Sequence, residues 1–216
     1  GPQGTLFGKN VVGGAVSLTS RKPAFDDEFI EVIGTFGNYD RTELLGRFNA
    51  AFSPTFAVSG AISTRQRDGY TTNVTTGNRV DDEKSAGGRI AFRYQPDELW
   101  DILFAVDRVD QDQRGQPRDN VCDASFNGGV HCVGVDPDPR RVNAFDDGYL
   151  RREVTGLTAT IERALNFGTL TSVTAYRTAD YAHADAFFSN PINPPTQIES
   201  FNENIEDTKQ LSQELR

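Results

Sequence analysis

The chain has 216 residues, a formal net charge of −9, a pI near 4.7 and a mean hydropathy of −0.51. The acidic balance argues against a nucleic-acid partner, which would need a basic face, and there is no apolar run of about 18 residues that could form a transmembrane helix. Low hydropathy leaves a membrane β-barrel open, because its strands are apolar on one side only.

Gly1 to Pro23 opens the chain as a glycine-punctuated loop, a short strand and a charged exit. Gly1, Gly4, Gly8, Gly13 and Gly14 crowd into the first fourteen residues, which suits a turning backbone rather than helix or packed core. Gly14 to Ser20 then alternates, with Val16 and Leu18 against Ala15, Ser17 and Thr19. Arg21-Lys22-Pro23 ends that strand, since proline cannot continue a ladder.

From there a period of two recurs. Strands are predicted at Glu28 to Phe36, Thr42 to Phe52, Thr55 to Thr64, Ser85 to Tyr94, Leu99 to Asp107, Glu153 to Glu162, Thr169 to Thr178 and Thr208 to Arg216. Phe48, Phe56, Ile90, Phe92, Phe104 and Val106 fall on one face. Arg47, Arg89, Arg93, Asp101 and Asp107 fall on the other. The links alternate in length, except that Gly37 to Asp40, the first at the long-loop end, is short. Gly37 to Asp40, Ser53-Pro54, Gln95 to Glu98 and Ala164 to Gly168 are short; Gln66 to Glu83, Asp110 to Arg152 and Asp180 to Asp207 are long. Tight turns at one end and long loops at the other describe an outer-membrane barrel meander, with the long loops outside the cell. Lipid offers backbone groups no hydrogen bonds, so spanning strands must pair laterally. A soluble β-sandwich would also alternate but would pack its apolar rows inward.

Cys122 and Cys132 lie close together in one polar stretch. They suit a disulfide in an oxidising compartment; the alternative, a two-ligand metal site with His131, lacks the spacing of a zinc motif. No catalytic constellation is present: His131 and His183 each sit in polar sequence, and neither a nucleophile elbow nor a paired-histidine motif occurs. Asp107, Asp110 and Asp112 read as a solvated acidic rim before a calcium site. Asp136, Asp138, Asp146 and Asp147 read as turn formers. Asn73-Val74-Thr75 matches a glycosylation acceptor. Between Gln111 and Tyr149, Arg114, Arg118, Arg140, Arg141, Phe126, Phe145 and Tyr149 supply recognition potential on loops.

The opening stretch closely resembles the end of the plug domain in TonB-dependent outer-membrane receptors, on Gly1, Pro2, Gly4, Leu6, Phe7, Gly8, Gly13, Gly14, Val16, Leu18, Arg21, Lys22 and Pro23. The ending Leu211-Ser212-Gln213-Glu214-Leu215-Arg216 resembles a barrel-strand segment of the same family. The resemblance implies an all-β fold: residues 1–23 as the end of the plug, and residues 24–216 as about eight antiparallel strands of a transmembrane barrel that has 22 in this family. It implies a place in the outer membrane of a Gram-negative bacterium, with lipid around the wall. It further implies energised uptake of a scarce nutrient, above all a ferric siderophore, with a TonB-type coupling protein as partner, no cofactor and no enzymatic step. Gly1, Pro2, Gly4, Leu6, Phe7, Gly8, Gly13, Gly14, Arg21, Lys22 and Pro23 would form the plug–barrel junction. A passive porin-like barrel and a secreted all-β carbohydrate-binding module are the alternatives. Lacking methionine and opening on glycine, the chain is expected to be an internal piece; neither a signal peptide nor the family's energy-coupling segment is visible in it.

Overall fold

The computed structural model describes residues 19–115, 138–187 and 200–216. Eight strands form one antiparallel sheet: β1 (Phe29–Gly37), β2 (Arg41–Ser53), β3 (Phe56–Arg67), β6 (Glu83–Tyr94), β7 (Trp100–Arg114), β9 (Tyr149–Leu165), β10 (Gly168–Phe187) and β11 (Ser200–Leu215). Each pairs with the strand before and after it in this order, so the sheet is a meander. The predicted strands are all present. The last two are much longer than alternation indicated, and the gap between them shrinks to residues 188–199.

The long links were expected to carry no strands of their own. Three short strands occur there: β4 (Thr71–Asn73), β5 (Arg79–Val80) and β8 (Arg141–Val142), forming a second sheet. Its β4–β8 pair is parallel, which the all-antiparallel expectation missed.

Register sorts the side chains into two faces. One row crosses all eight strands: Ile30, Phe48, Gly60, Ile90, Val106, Leu157, Tyr176 and Leu211, each directly opposite the next. One residue along, the other face carries Glu31, Arg47, Ala61, Arg89, Asp107, Gly156, Arg177 and Gln210 in the same succession. The first row is apolar but for one glycine, whereas the second holds five charges.

Among the described residues nothing covers the apolar row. Packing joins strands that are neighbours in a sheet, with no second layer among the described residues. Phe48, Ile90 and Phe104 are 37%, 39% and 42% exposed; Phe56, Phe92 and Val106 are half-buried, and none of the six is buried. The half-burial comes from neighbours on the same face, as where Phe92 and Phe104 stack with centroids 6.4 Å apart. The largest fully enclosed side chains described are Val80, Asn73 and Pro23, and none belongs to the eight-stranded sheet. Both outer strands, β1 and β11, present an unpaired edge among the described residues.

Candidate functional site

Two clusters stand out, one at each end of the sheet. The first is where residues 19–28 leave the wall before β1 begins. Proline 23 prevents this stretch from joining the ladder, so its polar backbone needs other partners. Asn49 of β2 supplies them: its Oδ1 accepts from the Ala24 amide at 2.9 Å, and its Nδ2 donates to the carbonyls of Ala24 at 2.9 Å and Asp27 at 2.6 Å. Asn49 is buried by this contact. Arg93 of β6 donates from Nη1 to the Pro23 carbonyl at 3.2 Å and lies over the Phe25 ring at 4.9 Å.

Arg93 also grips Asp101 of β7, from Nε at 2.9 Å and Nη2 at 3.0 Å. Lys22 then places its Nζ 3.1 Å from both Asp101 Oδ2 and Glu162 Oε2, the latter on β9. Partial burial lowers the Lys22 pKa, but the hydrogen bonds and negative charges of Asp101 and Glu162 outweigh it, so the ammonium holds its proton more firmly than usual. Four strands, β2, β6, β7 and β9, thus hold a few residues against the charged face. Arg21 is not part of this set: it pairs with Asp27 at 2.6 Å and stays exposed.

Of the predicted junction residues, Lys22 and Pro23 are in this cluster, with Arg21 beside it. Gly1, Pro2, Gly4, Leu6, Phe7, Gly8, Gly13 and Gly14 lie outside the described residues, as do Cys122, Cys132 and His131. Asn49, Arg93, Asp101 and Glu162 carry no local signal of joining Lys22, although Arg93 and Asp101 were on the predicted charged face.

The second cluster ties together the links at the opposite end. Tyr39, in the turn between β1 and β2, has a φ of 62°, and Asp40 follows at 52°. A left-handed backbone is costly for a bulky residue, yet four contacts hold Tyr39 there. Its carbonyl accepts from the Asp68 amide at 2.8 Å. Its hydroxyl accepts from Arg140 Nη1 at 3.0 Å, and its ring lies beneath Arg79 at 5.4 Å and edge-on to Tyr70 at 6.4 Å. Beside it, β4 and β8 are joined through Asn73 and Asp147. Asp147 Oδ1 accepts from Asn73 Nδ2 at 2.8 Å and Thr76 Oγ1 at 2.6 Å, and its Oδ2 accepts from Asn78 Nδ2 at 2.6 Å. The Asn73 Oδ1 accepts from the amides of Thr75 and Ala144, each at 3.2 Å. Asn73 is therefore a fully buried node between two links.

Other loop candidates take structural partners. Arg114 donates to the Arg79 carbonyl at 3.1 Å, Phe145 meets Phe201 at 6.5 Å, and Tyr149 hydrogen-bonds Glu203. Arg118 and Phe126 lie outside the described residues. The three aspartates do not converge. Asp107 pairs with Arg89 at 3.5 Å and Arg177 at 3.2 Å on one face; Asp110 binds Arg108 at 2.9 Å, and Asp112 binds Arg151 at 3.3 Å. No cluster of metal-ligating side chains occurs among the described residues. His183 lies in β10, 3.1 Å from Asp185.

A single antiparallel meander with charge on one side, an uncovered apolar row on the other and two open edges is a segment of barrel wall. Solved structures of this shape exist. The chain is similar to the ferric yersiniabactin uptake receptor FyuA of Yersinia pestis, with a TM-score of 0.66 and 19% identity over 88% of this chain and 28% of that one. It is also similar to the ferric-catecholate import receptor Fiu of Escherichia coli K12, in a closed form, with a TM-score of 0.75 and 16% identity over 98% of this chain and 31% of that one. At such identities the likeness is one of fold, and the chain spans under a third of either receptor. No protein-family profile matches the sequence.

Proposed function

We propose that the chain is part of a TonB-dependent receptor in the outer membrane of a Gram-negative bacterium, and that the whole protein takes up a ferric siderophore. The observation that carries this reading is the row from Ile30 to Leu211, apolar across eight strands and uncovered. In water such a row forfeits roughly 1.5–3 kcal/mol for each large side chain left unburied; against lipid it needs no protein cover. Charged side chains then face a lumen, where they meet water or one another.

In this reading residues 1–23 end a plug and residues 24–216 begin a 22-stranded barrel. The docking of residues 22–27 on the charged face favours an occupied lumen over a passive porin, because an unplugged barrel has no use for such a seat. Both similar receptors handle iron complexes, which favours a ferric siderophore over other nutrients. The action is capture and movement driven through a TonB-type partner, without bond chemistry in the protein.

Uptake of radioactive iron by Gram-negative cells that carry the full-length protein tests this. Ferric catecholates and ferric yersiniabactin serve as probes, with and without the coupling protein. We expect coupling-dependent accumulation of at least one complex. Accumulation that ignores the coupling protein would favour a passive pore, and no accumulation of any ferric complex would overturn the siderophore reading.

A further inference from the structure

Asp101 and Glu162 are directly opposite each other on β7 and β9. Like charges at such positions destabilise a strand pair, because their Cβ atoms stand only about 4.5–5.5 Å apart. Arg93 answers one of the two negative charges through its double hydrogen bond to Asp101. The sheet contributes no further cation to this pair among the described residues. The second cation, Lys22, comes from outside the sheet and touches both carboxylates. With Lys22 in place the four charges sum to zero; without it a net negative charge remains on two facing carboxylates, one of which, Asp101, is largely shielded from water.

We propose that Asp101 and Glu162 form a cation seat, and that Lys22 in this seat is a releasable latch holding the segment before β1 to the wall. Like-charge opposition supplies the directionality. When the segment withdraws, the two carboxylates repel, so the empty seat draws a cation back. Arg93 sets the order of release. It binds the Pro23 carbonyl through one nitrogen and Asp101 through two others, so Lys22 can leave while Pro23 stays tethered. A merely hydrophobic anchor would lack both the salt response and the dependence on charge at residue 22.

The test follows the segment itself. A nitroxide is attached at Ser20→Cys in the full-length protein, reconstituted in lipid vesicles, with every native cysteine, Cys122 and Cys132 included, changed to serine as background. Ser20 is exposed and makes no contact in the seat. We expect an immobilised spectrum for the parent and for Lys22→Arg, and a severalfold larger mobile fraction for Lys22→Gln. The double change Asp101→Asn with Glu162→Gln empties the seat from the wall side and should match Lys22→Gln. Raising salt from about 0.1 M to about 1 M shortens the screening length from about 10 Å to about 3 Å. That should mobilise the parent and leave Lys22→Gln unchanged. An immobile label in both Lys22→Gln and the double variant overturns the latch, as does a parent that ignores salt. Because the spectrum needs neither nutrient nor energy source, this result stands apart from the uptake experiment.

Discussion

The ring of Phe48 lies across Gly60, the residue directly opposite it on the next strand. A Cβ at residue 60 would come within 2.5 Å of Phe48 Cε1 and 3.0 Å of Cζ. The ring covers the backbone that glycine leaves bare, and glycine leaves room for the ring. Gly60→Ala should turn Phe48 outward at a cost on the order of 1 kcal/mol, the low end for overpacking. Phe48→Ala should remove the cover. In a double-mutant cycle of urea unfolding the two changes should couple by about 0.5 kcal/mol or more; strict additivity would mean that the ring does not rest on the glycine.

The two faces should respond in opposite ways to an added arginine. Ile90→Arg or Phe104→Arg puts a guanidinium on the apolar row and should cost about 2–4 kcal/mol if that row meets the lipid midplane. Ser212→Arg, exposed on the charged face, should fall within about 0.5 kcal/mol of the parent. Denaturant titration of full-length protein folded into vesicles measures both. Equal penalties on the two faces would remove the ground for a lipid-facing row.

Asp147→Ala should open both long links together. It removes the acceptor of Asn73, Thr76 and Asn78, and the fully buried Asn73 amide loses its partner. Stranding that group costs about 1–3 kcal/mol locally. Limited proteolysis should then show new cleavage in both 68–82 and 138–148, with the strands intact. Cleavage confined to one of the two would show that they are not held as a unit.

Cys122 and Cys132 are proposed to be disulfide-bonded, as their spacing within one polar stretch suggests. Thiol titration of unreduced, detergent-extracted protein should find none reactive. Two reactive thiols would refute the bridge.

Much of the wall was legible because alternation reports a difference between two environments. From Leu44 to Ala50 and from Trp100 to Val106 that difference exists, and the predicted faces match the register. It fades farther along the strands. Arg108, Asp110, Glu153, Asp180 and Asp207 continue the apolar side in register but are charged. With polar side chains on both faces, period two has nothing to record. β10 was therefore expected to stop at Thr178 although it runs to Phe187, and β11 was expected from Thr208 although it starts at Ser200. The junction was half legible: Lys22 stood in a recognisable motif, but its partners come from 79 and 140 residues away. Tyr39 and Tyr70 went unnoticed because a turn tyrosine has no periodic signature. Asn73 could have been suspected only from an asparagine and a threonine two residues apart, which also form local turns.

The two unpaired edges matter to anyone who would handle this segment alone. Among the described residues, β1 and β11 each offer an outer row of amides and carbonyls with no neighbouring strand, and β1 is bordered by Ile30 and Phe36, both more than four-fifths exposed. Such an edge recruits any strand of similar pitch, including the same edge of another copy. Produced apart from whatever strands complete the wall, the segment should grow by end-to-end addition into sheets and be recovered as insoluble aggregate.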